Sequence, residues 1–136
     1  MPEAVKKHRP QFTNIHVTQI IRYRMPLASL VSITHRISGA MIFFLLPFIL
    51  YLFEKSLFSE ISFDHFRGIA SHWFVKLVLL ALSWAYLHHF AAGIRHLFMD
   101  AHIAISKDST RKSAVAVFAV SLPLTMLVAL KLFGAF

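Results

Sequence analysis

The chain contains no cysteine among its 136 residues. That excludes disulfides, iron–sulfur ligation and thiolate catalysis, so any metal chemistry must run through imidazole, for which nine histidines are available. There is no low-complexity tract and no internal repeat. The first ten residues carry Lys6, Lys7 and Arg9 but lead into polar sequence without an apolar core or a small-residue cleavage site, so no signal peptide is expected. With Glu3 present, the stretch also lacks the acid-poor, Arg- and Ser-rich character of an organelle transit sequence. A bacterial cytoplasmic (inner) membrane is the simplest address.

What the chain has in excess is apolar surface. Hydrophobic residues make up 57% of it and the mean hydropathy is +0.65, too apolar for a soluble domain of this length. Crossing the hydrocarbon layer takes about 20 mainly apolar residues per helix. The chain therefore has room for three or four spans and no separate soluble domain. Its net charge of +8 does not point to nucleic acid, because the basic residues stand at the ends of apolar runs instead of along one solvated face.

The expected fold is all-α, an integral membrane protein with three transmembrane helices, preceded by a polar arm over residues 1–25. The membrane domain, residues 26–136, holds spans at about 30–53, 71–97 and 112–134, read from charge-free runs Ile37–Phe53, Leu77–Ile94 and Ser113–Leu130. Pro47 and Pro123 fall inside the first and third spans, where each removes a backbone hydrogen bond; Pro47 is expected to kink its helix. Residues 54–67 read as a mixed-charge loop. Trp73 suits an interfacial belt and Lys76 is near enough to the helix end to snorkel.

Counting Lys and Arg sets the orientation. Residues 1–36 hold Lys6, Lys7, Arg9, Arg22, Arg24 and Arg36, and the second connection holds Arg95, Lys107, Arg111 and Lys112. In the first loop Lys55 and Arg67 are offset by Glu54, Glu60 and Asp64. The N-terminus and the second connection are therefore expected inside, which brings the start of span one and the end of span two to one inner edge.

The polar intramembrane residues gather at that edge. Ser32, His35, Arg36 and Gly39 fall at i, i+3, i+4 and i+7, one stripe of span one. On span two, His89, Gly93 and His96 share a face in the same way, with His89 about 10 Å of helix rise deeper than His96. An imidazole at hydrocarbon depth must be hydrogen-bonded or metal-bound. Haem iron is the best metal candidate: it takes a neutral imidazole, its macrocycle buries apolar area that Gly93 would admit, and its propionates suit His35 and Arg36. The competing reading is a packing histidine bonded to a backbone carbonyl or a serine. Spacing alone leaves the two open. His88, on a face with Ala92 and Arg95 about 100° away, is the poorer ligand candidate; His72 lies at the wrong end of span two. The second axial ligand is expected from another subunit.

Arg9-Pro10, IRYRMPLASLVSITHRISG over 21–39, and HFAAGIRHLFMD over 89–100 together resemble the cytochrome b membrane subunit of succinate dehydrogenase, respiratory complex II. The resemblance covers most of the chain; the segment QFTNIHVT departs from it, so His16 receives no role. It implies that His89 is an axial ligand of a b-type haem shared with a second small membrane anchor subunit. His35 and Arg36 would lie near the propionates, and Ser32 and Arg36 would line a ubiquinone pocket. The implied role is not that of an enzyme alone. The chain would be a membrane subunit within a hetero-oligomeric helix bundle, beside flavoprotein, iron–sulfur and second anchor subunits, passing electrons from succinate oxidation in the tricarboxylic acid cycle to quinone. Ser32 would donate a hydrogen bond to a quinone carbonyl and Arg36 would stabilise negative charge developing there. For Asp100 a proton relay competes with a stronger reading: a carboxylate at a helix C-terminus is disfavoured by the dipole, and is expected to pair with Arg95 or with another subunit. The alternatives are a cofactor-free membrane anchor, its histidines only joining helices, and a small transporter component, against which the lack of a repeat argues weakly.

Overall fold

A computed structural model describes residue 14 and residues 16–134 of the chain, without the side chains of Ile20 and Ile21. Among these residues the fold is entirely helical: α1 (Val17–Arg22), α2 (Leu27–Phe58), α3 (Glu60–Ser71), α4 (Trp73–Asp100) and α5 (Lys107–Leu132). Most of the expected arm, including Arg9 and Pro10, lies outside the described residues. The part within them adds the short α1.

Three of the helices, α2, α4 and α5, are long and apolar enough to cross a membrane. They run past the expected spans at both ends of α2, at the end of α4 and at the start of α5, and fall two residues short at the start of α4 and the end of α5; α2 runs through Pro47 as one continuous helix of 32 residues, about 48 Å. The mixed-charge loop is a further difference. Residues 60–71 form the helix α3, because Ser59 and Ser62 close a reciprocal capping box and the Ser62 hydroxyl donates to the Lys55 carbonyl at 2.6 Å, folding α3 back on the end of α2. His72, set aside as a ligand, caps α4 by accepting the Phe74 amide. Ser106 caps α5 after a connection in which His102 and Ala104 take positive φ, a conformation costly for residues other than glycine.

The central element is α4, which packs antiparallel between α2 and α5. Its buried residues, Leu82, Ala85, His88, Ala92 and Arg95, follow helical spacing along one face. Small residues meet there: Ala92 and Ala114 are fully buried with Val31 and Val117, and Ala28, Ala91 and Phe118 pack around them. Small side chains let helix backbones approach closely, which is how helices associate where lipid removes the hydrophobic drive. The outer faces are strongly apolar and exposed, with Phe43 and Phe44 each more than two-thirds accessible. In the most apolar stretch of α2 only 6% of residues are buried within this chain, a surface suited to lipid or to neighbouring helices.

A histidine cluster between two helices

The two stripes meet where α2 and α4 cross. His35 and Gly39 on α2 stand opposite Gly93 and His89 on α4, so that each histidine lies over the other helix's glycine. A Cβ at Gly39 would come within 2.8 Å of the His89 Cε1 and 3.2 Å of its Nδ1. Gly39 is therefore the seat of the His89 ring. Gly93 is looser: a Cβ there would meet only the His35 Nε2, at 3.6 Å.

The two imidazoles stack with centroids 4.1 Å apart and planes 11° from parallel, and His96 lies 5.0 Å beyond His35, tilted. The Nδ1 of His89 is 3.0 Å from the main-chain carbonyl of His35 and 3.3 Å from the Ser38 hydroxyl. A carbonyl can only accept, so Nδ1 carries the proton. In the neutral ring the lone pair then resides on Nε2, which has no hydrogen-bond partner among the described residues. An imidazole fixed this way is ready to bind a metal ion through Nε2.

His88, one residue away, is in a different world. It is fully buried, stacked on Trp84 at 5.3 Å and against Phe118 at 5.3 Å. Its Nε2 is 2.7 Å from the Thr34 hydroxyl, whose hydrogen is committed to the Leu30 carbonyl at 2.8 Å, so His88 donates and Thr34 accepts. Its Nδ1 is enclosed without a partner among the described residues. Neither nitrogen faces out of the chain.

Of the other expected residues, Arg36 is exposed and Ser32 half-buried, and neither makes a side-chain hydrogen bond or ion pair among the described residues. The four-residue stripe of α2 thus divides: His35 and Gly39 turn to α4, while Arg36 turns outward. The expected pairing of Asp100 with Arg95 is not found. Arg95 is buried, with its Nε donating to the Ser113 hydroxyl of α5 at 3.0 Å and one terminal nitrogen left without a partner. A cavity of about 620 Å³ lies near the same membrane edge between Arg24, Leu27, Lys107 and Arg111, but Ser32, Arg36 and the histidines do not line it.

Two contributors escaped the sequence reading. Ser38, fully buried, gave no signal of its own, since a serine within an apolar helix most often bonds back to its own backbone. Thr34 is similar; only the placement of α4 makes it a partner of His88.

Comparison with known proteins points to a family. Residues 6–128 match the family model of the succinate dehydrogenase/fumarate reductase transmembrane subunit. The chain is 38% identical over 104 residues to the succinate dehydrogenase cytochrome b556 subunit of Coxiella burnetii, covering 75% of this chain and 82% of that one. Against the subunit of the same name from Paracoccus denitrificans it is 29% identical over 127 residues, 93% of this chain and 94% of the relative. That of Rickettsia prowazekii gives 29% over 125 residues, 92% and 94%. The chain is a multi-pass membrane protein and belongs to the family of succinate dehydrogenase and fumarate reductase transmembrane subunits, with the succinate dehydrogenase cytochrome b subunits as its relatives.

Proposed function

We propose that the chain supplies one half of a b-type haem site and part of a quinone-reducing site, as a membrane anchor of succinate dehydrogenase, with His89 as its axial ligand to the haem iron. The observation that carries the ligand assignment is the hydrogen bond from the His89 Nδ1 to the His35 carbonyl, which leaves Nε2 bare. A histidine that served only to join helices would account for this bond equally well at Nδ1. It would not account for a second nitrogen left both unpartnered and open at the chain's surface, where a ligand from outside can reach it, whereas the unpartnered Nδ1 of His88 is sealed inside.

Two further observations support the reading. Among the described residues no three His, Asp or Glu side chains converge as a site for a bare metal ion, so a metal at His89 takes its other ligands from elsewhere, as from a porphyrin. The parallel stack of His35 on His89 is incompatible with the two rings facing each other across one iron. On this reading His35 is a flanking group; His35 on the α4 side and Arg36 on the outer side of α2 would hold the propionates, and a second membrane subunit would supply the other protein ligand to the iron.

When bound, the haem supplies a one-electron redox centre between the iron–sulfur subunit and quinone. This chain's residues do the rest. Ser32 donates a hydrogen bond to a ubiquinone carbonyl, and Arg36, unpaired and outward-facing, stabilises the negative charge that develops as the quinone is reduced. Electrons reach the site from a flavoprotein that oxidises succinate, through an iron–sulfur subunit docked at the edge where α2 begins and α4 ends. The excess of Lys and Arg supports an orientation with that edge on the inner side of a bacterial cytoplasmic membrane.

The test is the absorption spectrum of the intact purified complex before and after chemical reduction. Sharp low-spin bands in the parent, lost on His89→Ala, are expected. A fully assembled parent complex that lacks those sharp bands above its flavin and iron–sulfur absorption would sink the haem reading and leave a cofactor-free anchor.

A further inference from the structure

We propose that Ser38 is a positioning residue for His89, fixing the orientation of its ring and the location of its proton; this rests on the assignment of His89 as the haem ligand. Ser38 is fully buried in the α2–α4 crossing, and among the described residues its hydroxyl is the one side-chain oxygen within hydrogen-bond reach of His89, at 3.3 Å.

The hydrogen accounting gives Ser38 a definite role. Its own hydrogen is donated to the His35 carbonyl at 2.9 Å, the ordinary back-bond of a serine in a helix. The lone pairs of the hydroxyl are then available to His89, whose Nδ1–H is shared between that oxygen and the same His35 carbonyl. Two acceptors on one donor define a plane in a way that a single acceptor cannot. Gly39 lies against the same Nδ1–Cε1 edge of the ring, so close packing and the paired oxygens act together on the imidazole. Outer partners of this kind set ligand orientation and basicity at metal centres. Swivelling the ring about its attachment would change how its π system meets the iron orbitals, without any change of ligand.

The experiment is low-temperature electron paramagnetic resonance of the oxidised whole complex, whose low-field haem feature reports the orientation of the axial imidazoles. Ser38→Ala, which removes only the hydroxyl, is expected to shift or broaden that feature while haem content is retained. Ser38→Thr, which keeps a hydroxyl able to make the same back-bond, is expected to restore it. Ser121→Ala, at another fully buried serine on α5, should leave it unchanged. A Ser38→Ala feature identical to the parent overturns the proposal, and so does an equal shift in the alanine and threonine variants, which would mark a packing effect. If the alanine variant does not assemble, Ser38→Cys, close in volume but a poor acceptor, carries the same comparison. Haem that survives His89→Ala would refute the ligand assignment itself; haem lost there but indifferent at Ser38 refutes only the role of Ser38.

Discussion

Two faces of α4, about 100° apart, each carry a histidine, and they have opposite economies. On the face of His88, Ala92 and Arg95 every side chain is buried within this one chain, and Thr34 and Ser113 receive hydrogen bonds from the histidine and the arginine. On the face of His89, Gly93 and His96 nothing is fully buried, and the Nε2 of His89 has no partner among the described residues. The first face holds the three helices together. The second is half of something. Polarity inside a membrane is therefore not by itself a mark of function; what separates the two histidines is whether the unpartnered nitrogen is sealed within the chain, as the Nδ1 of His88 is, or open at its surface, as the Nε2 of His89 is.

The largest effect that could break this comparison is expected from His89→Ala, which should abolish the low-spin haem spectrum of the assembled complex; its survival would place the ligand elsewhere. Next, Arg36→Ala should lower quinone reduction by about 100-fold, the scale for losing a group that stabilises developing charge. Ser32→Ala should lower it by about 10-fold, matching one hydrogen bond of roughly 1.4 kcal/mol. Succinate oxidation with a soluble artificial acceptor should persist in both. Equal loss of both activities would instead indicate failed assembly.

The glycines sharpen the contrast at smaller scale. Gly39→Ala places a methyl group 2.8 Å from the His89 ring and should weaken haem retention roughly 10-fold, the lower end for disturbed ligand support. Gly93→Ala, with one ordinary contact at 3.6 Å, should leave haem content close to the parent's; pyridine haemochrome assays of the two variants settle the order. The smallest effect on the haem is expected from His88→Ala. Its spectrum should match the parent's, while the cavity left between Trp84 and Phe118 costs about 2–3 kcal/mol, read as lower thermal stability of the complex. A lost spectrum with stability intact would reverse the roles of the two faces.

Residue by residue, the reading from sequence went furthest where a single physical rule governs. Apolar runs of a length set by the bilayer located α2, α4 and α5. The choice of His89 over His88 rests in the sequence on helical phase and a family motif; the packing adds that His88 is sealed within the chain while His89 is only half-buried. The helix α3 was missed because its start uses Ser62, not a Glu or Gln, to answer the Ser59 cap, so the usual box signature is absent. For Asp100 the sequence offered Arg95 or another subunit as partner; burial of Arg95 against α5 gives it to Ser113 instead and removes the first alternative.

By itself the sequence determined the number of spans, the two stripes and the family, because hydropathy, helical period and motif spacing are properties of the chain read in order. Only the tertiary structure decided that His35 and His89 each lie over the other helix's glycine, that Ser38 and the His35 carbonyl hold the His89 proton, and that His88 is sealed within. Those facts depend on how far each helix is rotated about its axis against its neighbours. That rotation is set by the packing of Ala92, Ala114, Val31 and Val117, residues that carry no chemistry and give no motif.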